Sequence, residues 1–296
     1  MLNNLNKIAK DTNIFLKKYL KKQKYSGLIN AMNYGLFPGG KKIRSKILID
    51  VGKIFNVNYN NLIKIGAAVE CVHAYSLIHD DLPCMDNDYF RRGKPSTHIK
   101  FDEATAVLAG NSLLALSFEI LSDNKLNLNQ KTKNELINKL SEFSGHSGIA
   151  GGQFLDLDFE KKKISLKKII DMQLKKTGRL FCFWCVVPVI IAKKNIKIIK
   201  KFEVIGSDIG LLYQIADDLI DYKGDSKKVG KKTNKDQKQG KANLISLLGY
   251  SNAVIYGKNL KLKIQKKLKN YGKKSNNLSE TLEYFLYRNK WTIINI

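Results

Sequence analysis

Several residue types are scarce in this chain of 296 residues: proline and cysteine occur four times each, arginine five times and tryptophan twice. No segment rich in Pro, Gly or Ser divides the sequence, so composition gives no reason to cut the chain into separate domains. Four cysteines do not suggest a disulfide scaffold in a chain of this length.

Long apolar runs are also missing. The residues up to about Gln23 alternate between polar and apolar types and lack the apolar core of a signal peptide. The longest apolar run, Leu180 to Ala192, is too short to span a bilayer and contains Pro188. We therefore expect no membrane span and a cytoplasmic protein.

Signals for β-strands are nearly absent, whereas helical spacing is common. Ile47, Val51 and Ile54, for example, fit one face of a helix. The pattern predicts an all-α fold of roughly ten or more helices in a single domain, residues 1–296. Residues 223–241 are hydrophilic and rich in Gly and Lys, and we expect them to form a mobile loop.

The formal net charge is +26 at pH 7, which is common in proteins that bind nucleic acids or anionic membranes. The excess is lysine spread along the whole sequence, however, without a basic stripe that contains interleaved aromatic residues. We expect no nucleic-acid partner. A nucleic-acid binder stays as an alternative, and its binding would weaken steeply with added salt.

Two acidic clusters lie about 137 residues apart, and a mostly apolar stretch of predicted helix leads into each. The first contains Asp80, Asp81 and Asp86 and follows a helix predicted over 67–81; the second contains Asp217, Asp218 and Asp221, in a helix predicted over 209–222. Crowded carboxylates stay ionised together only when cations lie among them. Mg²⁺ commonly takes one or two carboxylates and shares the rest of its shell with water and substrate phosphates. The clusters therefore indicate Mg²⁺ ions that bind a diphosphate.

Arginine in such a lysine-rich chain marks places that need a planar fork for phosphate. Arg91 and Arg92 follow the first cluster closely, and Arg44 ends the segment Pro38-Gly39-Gly40-Lys41-Lys42-Ile43-Arg44. The glycines of that segment would let the backbone approach an anion at a helix N-terminus. Taken alone, the segment is explained better by a simple helix start.

These motifs resemble, in their order, those of the trans-isoprenyl diphosphate synthase family, the polyprenyl synthetases, and most of all its bacterial short-chain members. The resemblance rests on Glu70 to Asp86, Arg91 to Pro95, Gly151-Gly152-Gln153, Lys176-Thr177-Gly178 and Gln214 to Asp221. It implies an isoprenoid-synthase bundle of helices around a central cavity between the two Asp motifs, usually as a homodimer. It also implies Mg²⁺-dependent head-to-tail condensation of isopentenyl diphosphate with dimethylallyl or geranyl diphosphate, with release of diphosphate.

The resemblance also implies roles for individual side chains. Asp80, Asp86 and Asp217 would bind Mg²⁺ directly, with three ions per site, and Asp81, Asp218 and Asp221 would complete the two clusters. The allylic diphosphate would be held by Arg91, Lys176 and, from the mobile loop, Lys231. The diphosphate of isopentenyl diphosphate would be held by Lys41, Arg44, His73 and Arg92. Oxygen dipoles of Thr177 and Gln214 would face the carbocation, so these two residues join Lys176 and the three direct metal ligands in catalysis.

Product length is predicted from Tyr75 and Ser76, which lie five and four residues before Asp80. Helical spacing puts Tyr75 about one turn before the predicted metal ligands, where its ring would close the end of the product tunnel. We therefore expect a C15 product, farnesyl diphosphate. A geranylgeranyl diphosphate synthase is the main alternative. A non-catalytic partner subunit is another, against which the intact Asp residues argue.

Two features are left outside this scheme. Cys182 and Cys185 are spaced like a redox or zinc CxxC pair, but they lie in an apolar helix without a second pair nearby, so we expect them in the core or the cavity lining. Asp156 is expected either to support the structure or to form part of the cavity wall.

Overall fold

The structure is a computed structural model and describes residues 2–23, 26–39, 42–223 and 244–287. Its first elements are α1 (Leu2–Leu20), α2 (Gly27–Leu36), α3 (Ile43–Ile54), α4 (Tyr59–Asp80), β1 (Phe90–Arg91), β2 (Lys94–Pro95), α5 (Thr97–Lys100), α6 (Glu103–Ser122) and α7 (Gln130–Ser144). Then follow α8 (Ile149–Asp158), α9 (Leu166–Gln173), a π-helical turn (Leu174–Gly178), α10 (Arg179–Ile191), α11 (Ile196–Lys223), α12 (Leu244–Leu248), α13 (Tyr250–Leu268), a 3₁₀ segment (Lys269–Ser275) and α14 (Asn276–Tyr287). The all-α prediction is confirmed.

The chain divides into two compact units. The first unit consists of Met1–Gly52 and Asn56–Asn138, and the second of Lys53–Phe55 and Lys139–Ile296. In the first unit α4 packs along α6 and also contacts α1 and α2; in the second, α10 packs along α11, which also contacts α13 and α14. The prediction of one domain over residues 1–296 stays a prediction.

The central helices of the two units are α4 and α10, because each is apolar on nearly every face and must be buried all round. Every residue of α10 from Leu180 to Ile190 is buried. Cys182 and Cys185 are among them, and burial raises the pKa of both thiols. The CxxC pair therefore lies in the core, one of the two places expected for it.

The two helices predicted to carry the acidic clusters are present, and both begin earlier than predicted. Asn58 caps α4, since its side chain accepts hydrogen bonds from the backbone amides of Asn60 and Asn61. Asn195 plays the same part for α11 through the amide of Ile198. Apolar spacing alone predicts later starts, because it does not detect these asparagine caps.

Helix α6 is long and apolar enough to cross a membrane, by length and composition alone. A single such helix is weak support for a span, because core helices have the same composition. Here α6 packs along α4 and buries Ala109, Leu113 and Leu116. The expected absence of a membrane span stays a prediction.

Candidate active site

The first acidic cluster surrounds the C-terminal end of α4. Asp80 is the last residue of this helix and Asp81 caps it. The chain then turns back, since the backbone amides of Asp86 and Asp88 donate hydrogen bonds of 2.9 and 3.1 Å to the carbonyls of Asp80 and Asp81. The carbonyl end of a helix carries negative potential of its own, which favours bound cations. The turn therefore brings the predicted metal ligands Asp80 and Asp86 to a place suited to a cation.

Asp81 forms a forked ion pair with Arg91. The Nε atom of Arg91 lies 2.9 and 3.0 Å from the two carboxylate oxygens, and the terminal nitrogen contacts Oδ1 as well. Burial raises the pKa of Asp81, and the hydrogen bonds and charge of Arg91 oppose that effect. Asp88, for which no role was predicted, lies 3.6 Å from the same guanidinium. The resemblance assigns Asp81 to Mg²⁺ and Arg91 to the allylic diphosphate, whereas in the structure the two side chains bind each other.

The hairpin of β1 and β2 carries Arg91 and Arg92. Its two turn residues, Arg92 and Gly93, have φ angles of 52° and 76°, as in the tight turns whose twist matches that of the flanking strands. The guanidinium of Arg92 donates a hydrogen bond to the carbonyl oxygen of Gly39. This contact ties the hairpin to the loop that precedes α3.

His73, on α4, lies among four cationic side chains. Its pKa is well below the usual 6.5, first because the imidazole is buried and then because Arg44, Arg92, Lys42 and Arg91 repel a proton. Its Nε2 atom is buried without a hydrogen-bond partner. A neutral imidazole can donate or accept a hydrogen bond, according to its tautomer. The four cationic side chains and the imidazole nitrogen, which can still form a hydrogen bond, would together bind an anion such as a diphosphate.

Glu70 is a buried carboxylate that holds part of this cationic group. Its oxygens accept a hydrogen bond of 2.9 Å from Ser45 and lie 3.2 Å from the Nζ atom of Lys42. Burial, the largest single influence, raises the pKa of Glu70, but Lys42, Arg44 and Ser45 together bring it below its usual value. Lys42 had no predicted role, whereas the predicted ligand Lys41 lies outside the described residues.

In the second unit, the predicted site residues gather around the π-helical turn between α9 and α10. The turn contains Lys176 and Thr177. The Nζ atom of Lys176 lies 2.7 Å from the carboxylate of Asp156 on α8, which gives Asp156 a partner that was not predicted. Single π turns are rare and occur often at functional sites. No sequence pattern predicted this turn.

Two glycines allow neighbouring helices to approach the π turn. A Cβ atom on Gly152 of α8 would lie 2.1 Å from the backbone nitrogen of Lys176, and one on Gly210 of α11 would lie 2.5 Å from the Cα atom of Gly178. Both distances are too short for any side chain. The backbone that carries Lys176 and Thr177 is therefore held by direct contact with two helices.

A row of hydrogen bonds joins the π turn to the second acidic cluster. The hydroxyl of Thr177 donates to Gln214 over 3.1 Å, and the amide of Gln214 donates to Asp218 over 2.8 Å. Gln173 also donates to Asp218, over 3.5 Å. Asp218 and Asp221 are buried, whereas Asp217 is partly exposed. The row fixes the orientation of the Gln214 side chain. Lys231 lies outside the described residues.

The donor set fits Mg²⁺ with phosphate as a further ligand. Within the described ranges, no three carboxylates, imidazoles or thiols come together as a ready-made metal cage. Mg²⁺ rarely uses such a cage, because it binds through one or two carboxylates, several waters and the substrate phosphates. Asp80 and Asp86 at the end of α4, and Asp217 and Asp221 on one face of α11, supply hard oxygen donors in pairs.

Tyr75 and Ser76, predicted to set product length, lie on α4 before Asp80. The ring of Tyr75 meets the ring of His79 edge-on, with 5.2 Å between the centroids. Burial and the charge of Asp80 raise the pKa of Tyr75. Ser76 donates a hydrogen bond to the carbonyl of His73. The role of both residues in product length stays a prediction.

Comparison with known proteins confirms the resemblance. Residues 26–284 match the family model described as polyprenyl synthetase. A farnesyl diphosphate synthase of Micrococcus luteus is 38% identical over 275 residues, which are 93% of each chain. The crystal structure of an FPP/GFPP synthase from Zymomonas mobilis superposes with a TM-score of 0.86 at 37% identity, over 96% of this chain and 100% of that one. A geranyltransferase of Helicobacter pylori, complexed with magnesium and isoprenyl diphosphate, gives a TM-score of 0.81 at 32% identity, over 96% and 97% of the two chains. The chain belongs to the polyprenyl synthetase family.

Proposed function

We propose that the protein is a short-chain prenyltransferase that condenses isopentenyl diphosphate with dimethylallyl and then geranyl diphosphate to make farnesyl diphosphate. The relatives named as farnesyl diphosphate synthases support this activity. The structural observation that carries the proposal is the cationic group around His73 beside the carboxylates at the end of α4. Prenyl transfer needs both kinds of group, because a diphosphate must be held and its charge neutralised before it leaves.

The reaction needs no side-chain nucleophile. The C–O bond of the allylic substrate breaks, and diphosphate leaves with the electron pair. The double bond of isopentenyl diphosphate attacks the resulting allylic cation, which leaves the positive charge on the isopentenyl unit. A proton is then lost from the carbon next to that charge to the departed diphosphate. The protein therefore has to hold two diphosphates, stabilise one carbocation and exclude water.

The diphosphate of isopentenyl diphosphate is assigned to the group around His73. Arg44 and Arg92 supply forked donors for phosphate oxygens, Lys41 adds a further charge, and the neutral imidazole of His73 adds a hydrogen bond. The buried carboxylate of Glu70 supports this arrangement by holding Lys42 in place. Lys42 is therefore added to the predicted set.

The allylic diphosphate is assigned to Arg91, Lys176 and Lys231. Asp80, Asp86 and Asp217 would hold Mg²⁺, three ions per site, with Asp81, Asp218 and Asp221 completing the clusters. Bound Mg²⁺ would neutralise the diphosphate and so make it a better leaving group. Arg91 would have to exchange part of its contact with Asp81 for substrate, and Lys176 part of its contact with Asp156.

Thr177 and Gln214 are assigned to the carbocation. Their hydrogen bond, and that from Gln214 to Asp218, orient the side-chain oxygens before substrate arrives, which is how preorganised dipoles stabilise developing charge.

The loop 223–241, which after Lys223 lies outside the described residues, is proposed to close over the substrates as a lid. Tyr75 and Ser76 are proposed to limit the product to C15.

A homodimer in the cytoplasm completes the proposal. On α6 the neighbouring residues Val107 and Leu108 are exposed by 38% and 55%. Contiguous exposed apolar surface marks sites of association. We assign Val107 and Leu108 to the contact with a second copy of the chain.

Product analysis tests the function. Purified protein is incubated with Mg²⁺, isopentenyl diphosphate and dimethylallyl diphosphate, and the alcohols released by phosphatase are identified. Farnesol is expected, and Asp80→Asn and Asp217→Asn should each abolish it while circular dichroism shows an intact fold. Geranylgeraniol would contradict the role of Tyr75 in limiting the product. A wild-type protein without product, beside an active control enzyme, would favour the non-catalytic subunit.

A further inference from the structure

A cavity in the first unit is lined by residues that prenyl transfer does not use. It measures about 230 Å³, is partly open to the surface and lies between α1, α4, the end of α6 and the loop after α6. Its lining residues are Phe15, Lys18, Tyr19, Lys22, Lys64, Ile120, Asp123, Lys125 and Leu126. Phe15, Lys18, Tyr19 and Lys22 recur at the spacing of one helical face, so the cavity is built on a single side of α1 and its end.

The cavity has apolar walls. The rings of Phe15 and Tyr19 lie 5.7 Å apart, and Ile120 and Leu126 are each 1% exposed. Tyr19 is held in place because its hydroxyl donates a 3.0 Å hydrogen bond to Glu119. A small apolar group of a ligand would therefore contact side chains that are already held in place. Pockets for drug-sized ligands are larger, about 300 to 1,000 Å³, so the occupant must be small.

Lysines outnumber acidic residues at this cavity. Lys18, Lys22, Lys64 and Lys125 are among the lining residues, as is Asp123, and the carboxylate of Glu119 contacts the hydroxyl of Tyr19. Asp123 is already engaged, because its side chain accepts a 2.8 Å hydrogen bond from the backbone amide of Lys125. The Nζ atom of Lys22 lies over the ring of Tyr19, 5.3 Å from its centroid.

Two of these ammonium groups crowd each other. A side-chain contact with Lys125, and then the repulsion between the two charges, lowers the pKa of Lys22. Crowded like charges are destabilising unless an anion lies between them. Lys64 is turned toward the same place, where it donates a hydrogen bond to the carbonyl oxygen of Lys125.

Helix dipoles alone do not explain this arrangement. Lysines are favoured at helix C-termini, and both α1 and α6 end near the cavity. That preference accounts for lysines on the surface at these ends. It does not account for a cavity with aromatic and aliphatic walls toward which lysines from α1, α4 and the loop converge.

We propose that this cavity binds a small organic phosphate, whose short apolar chain contacts Phe15, Tyr19 and Ile120 and whose phosphate contacts Lys22, Lys64 and Lys125. The site is distinct from the residues assigned to both substrate diphosphates. The inference does not rest on the proposed function, since it uses none of the residues of that site.

Calorimetric titration with isopentyl phosphate in EDTA tests the site without Mg²⁺. Wild-type protein should bind this probe saturably, and at least tenfold more tightly than inorganic phosphate or isopentanol. Lys22→Gln/Lys125→Gln should weaken binding at least tenfold. The charge-matched control Lys10→Gln/Lys131→Gln, at exposed positions outside the cavity, should bind as the wild type does. Arg92→Gln, which weakens any binding of the probe at the group around His73, should keep the binding event that the cavity variant loses. Equal binding by the cavity variant and the wild type, loss of binding in Arg92→Gln, or binding of inorganic phosphate as tight as that of the probe would overturn the proposal.

A second measurement uses only the wild-type chain, so it does not depend on the folding of a variant. Acetylation of lysines is followed by mass spectrometry with and without isopentyl phosphate. The probe should slow the acetylation of Lys22 and Lys125 at least threefold and leave Lys10 and Lys131 unchanged. Unchanged rates at Lys22 and Lys125 would contradict the site.

Discussion

Single side chains in this protein carry charge arrangements that can be tested through stability. His73 is the first case, because burial and the surrounding cations keep its pKa well below 6.5 in the folded chain. Below pH 6.5 the unfolded chain binds a proton at this residue that the folded chain does not bind. Through His73, the free energy of unfolding therefore falls as the pH falls below 6.5, and it no longer depends on this residue well above that pH.

The variant His73→Gln should lose this dependence on pH. Between pH 7.5 and pH 5.5, the free energy of unfolding of the wild type should fall by about 1 kcal/mol more than that of the variant. Urea unfolding at the two pH values measures the difference. His146→Gln, at an exposed position, removes another imidazole and should keep the wild-type fall. A variant that loses as much stability on acidification as the wild type does would contradict the account of His73.

A second test concerns the ion pair of Lys46 and Asp50, one turn apart on α3. The two side chains are 1% and 0% exposed. Asp50→Asn would leave an ammonium group in the core without its counter-charge, so we expect a loss of about 3–5 kcal/mol in the free energy of unfolding. The double variant Lys46→Met/Asp50→Leu should recover most of that loss, since it removes both charges. Urea unfolding measures both variants.

The pair of Asp158 and Lys162 has the same spacing at the surface, where the side chains are 45% and 55% exposed. Asp158→Asn should cost less than about 1 kcal/mol. Similar losses at the buried and the exposed pair would mean that the burial of Lys46 carries no penalty.

At the scale of elements, the π turn sets the positions of Lys176 and Thr177. Gly152→Ala would put a methyl group against the backbone of Lys176, which cannot move as a flexible side chain could. We expect a loss of about 1–3 kcal/mol in stability from this overpacking, together with a fall of at least tenfold in kcat/KM, because the turn that carries both residues must shift. Gly27→Ala, with open space around the new methyl group, should leave kcat/KM within twofold of the wild type. Wild-type activity in Gly152→Ala would show that the turn tolerates displacement.

The elements that the sequence predicted are those whose signal is local. The helices that carry the clusters, α4 and α11, follow from apolar spacing, and the two acidic clusters are visible in the sequence itself. The π turn could not be predicted in this way, because it depends on the approach of α8 and α11 at Gly152 and Gly210. The pairing of Asp81 with Arg91 and the anchoring of Lys42 by Glu70 are likewise contacts of the folded chain. No residue spacing reveals such contacts.

At the scale of the whole molecule, the exposed pair Val107 and Leu108 on α6 is proposed to join two copies of the chain. Leu108 is 55% exposed, with Val107 beside it. Leu108→Asp would place a charge in an apolar interface, where it would be desolvated without a partner, so dimers should dissociate at concentrations at least tenfold higher than for the wild type. Leu262→Asp on α13, where the leucine is 59% exposed, makes the same chemical change elsewhere and should leave the dimer intact. Sedimentation velocity over a range of concentrations separates the cases: a monomeric wild type would contradict the homodimer, and a Leu108→Asp variant as dimeric as the wild type would mean that another surface joins the copies.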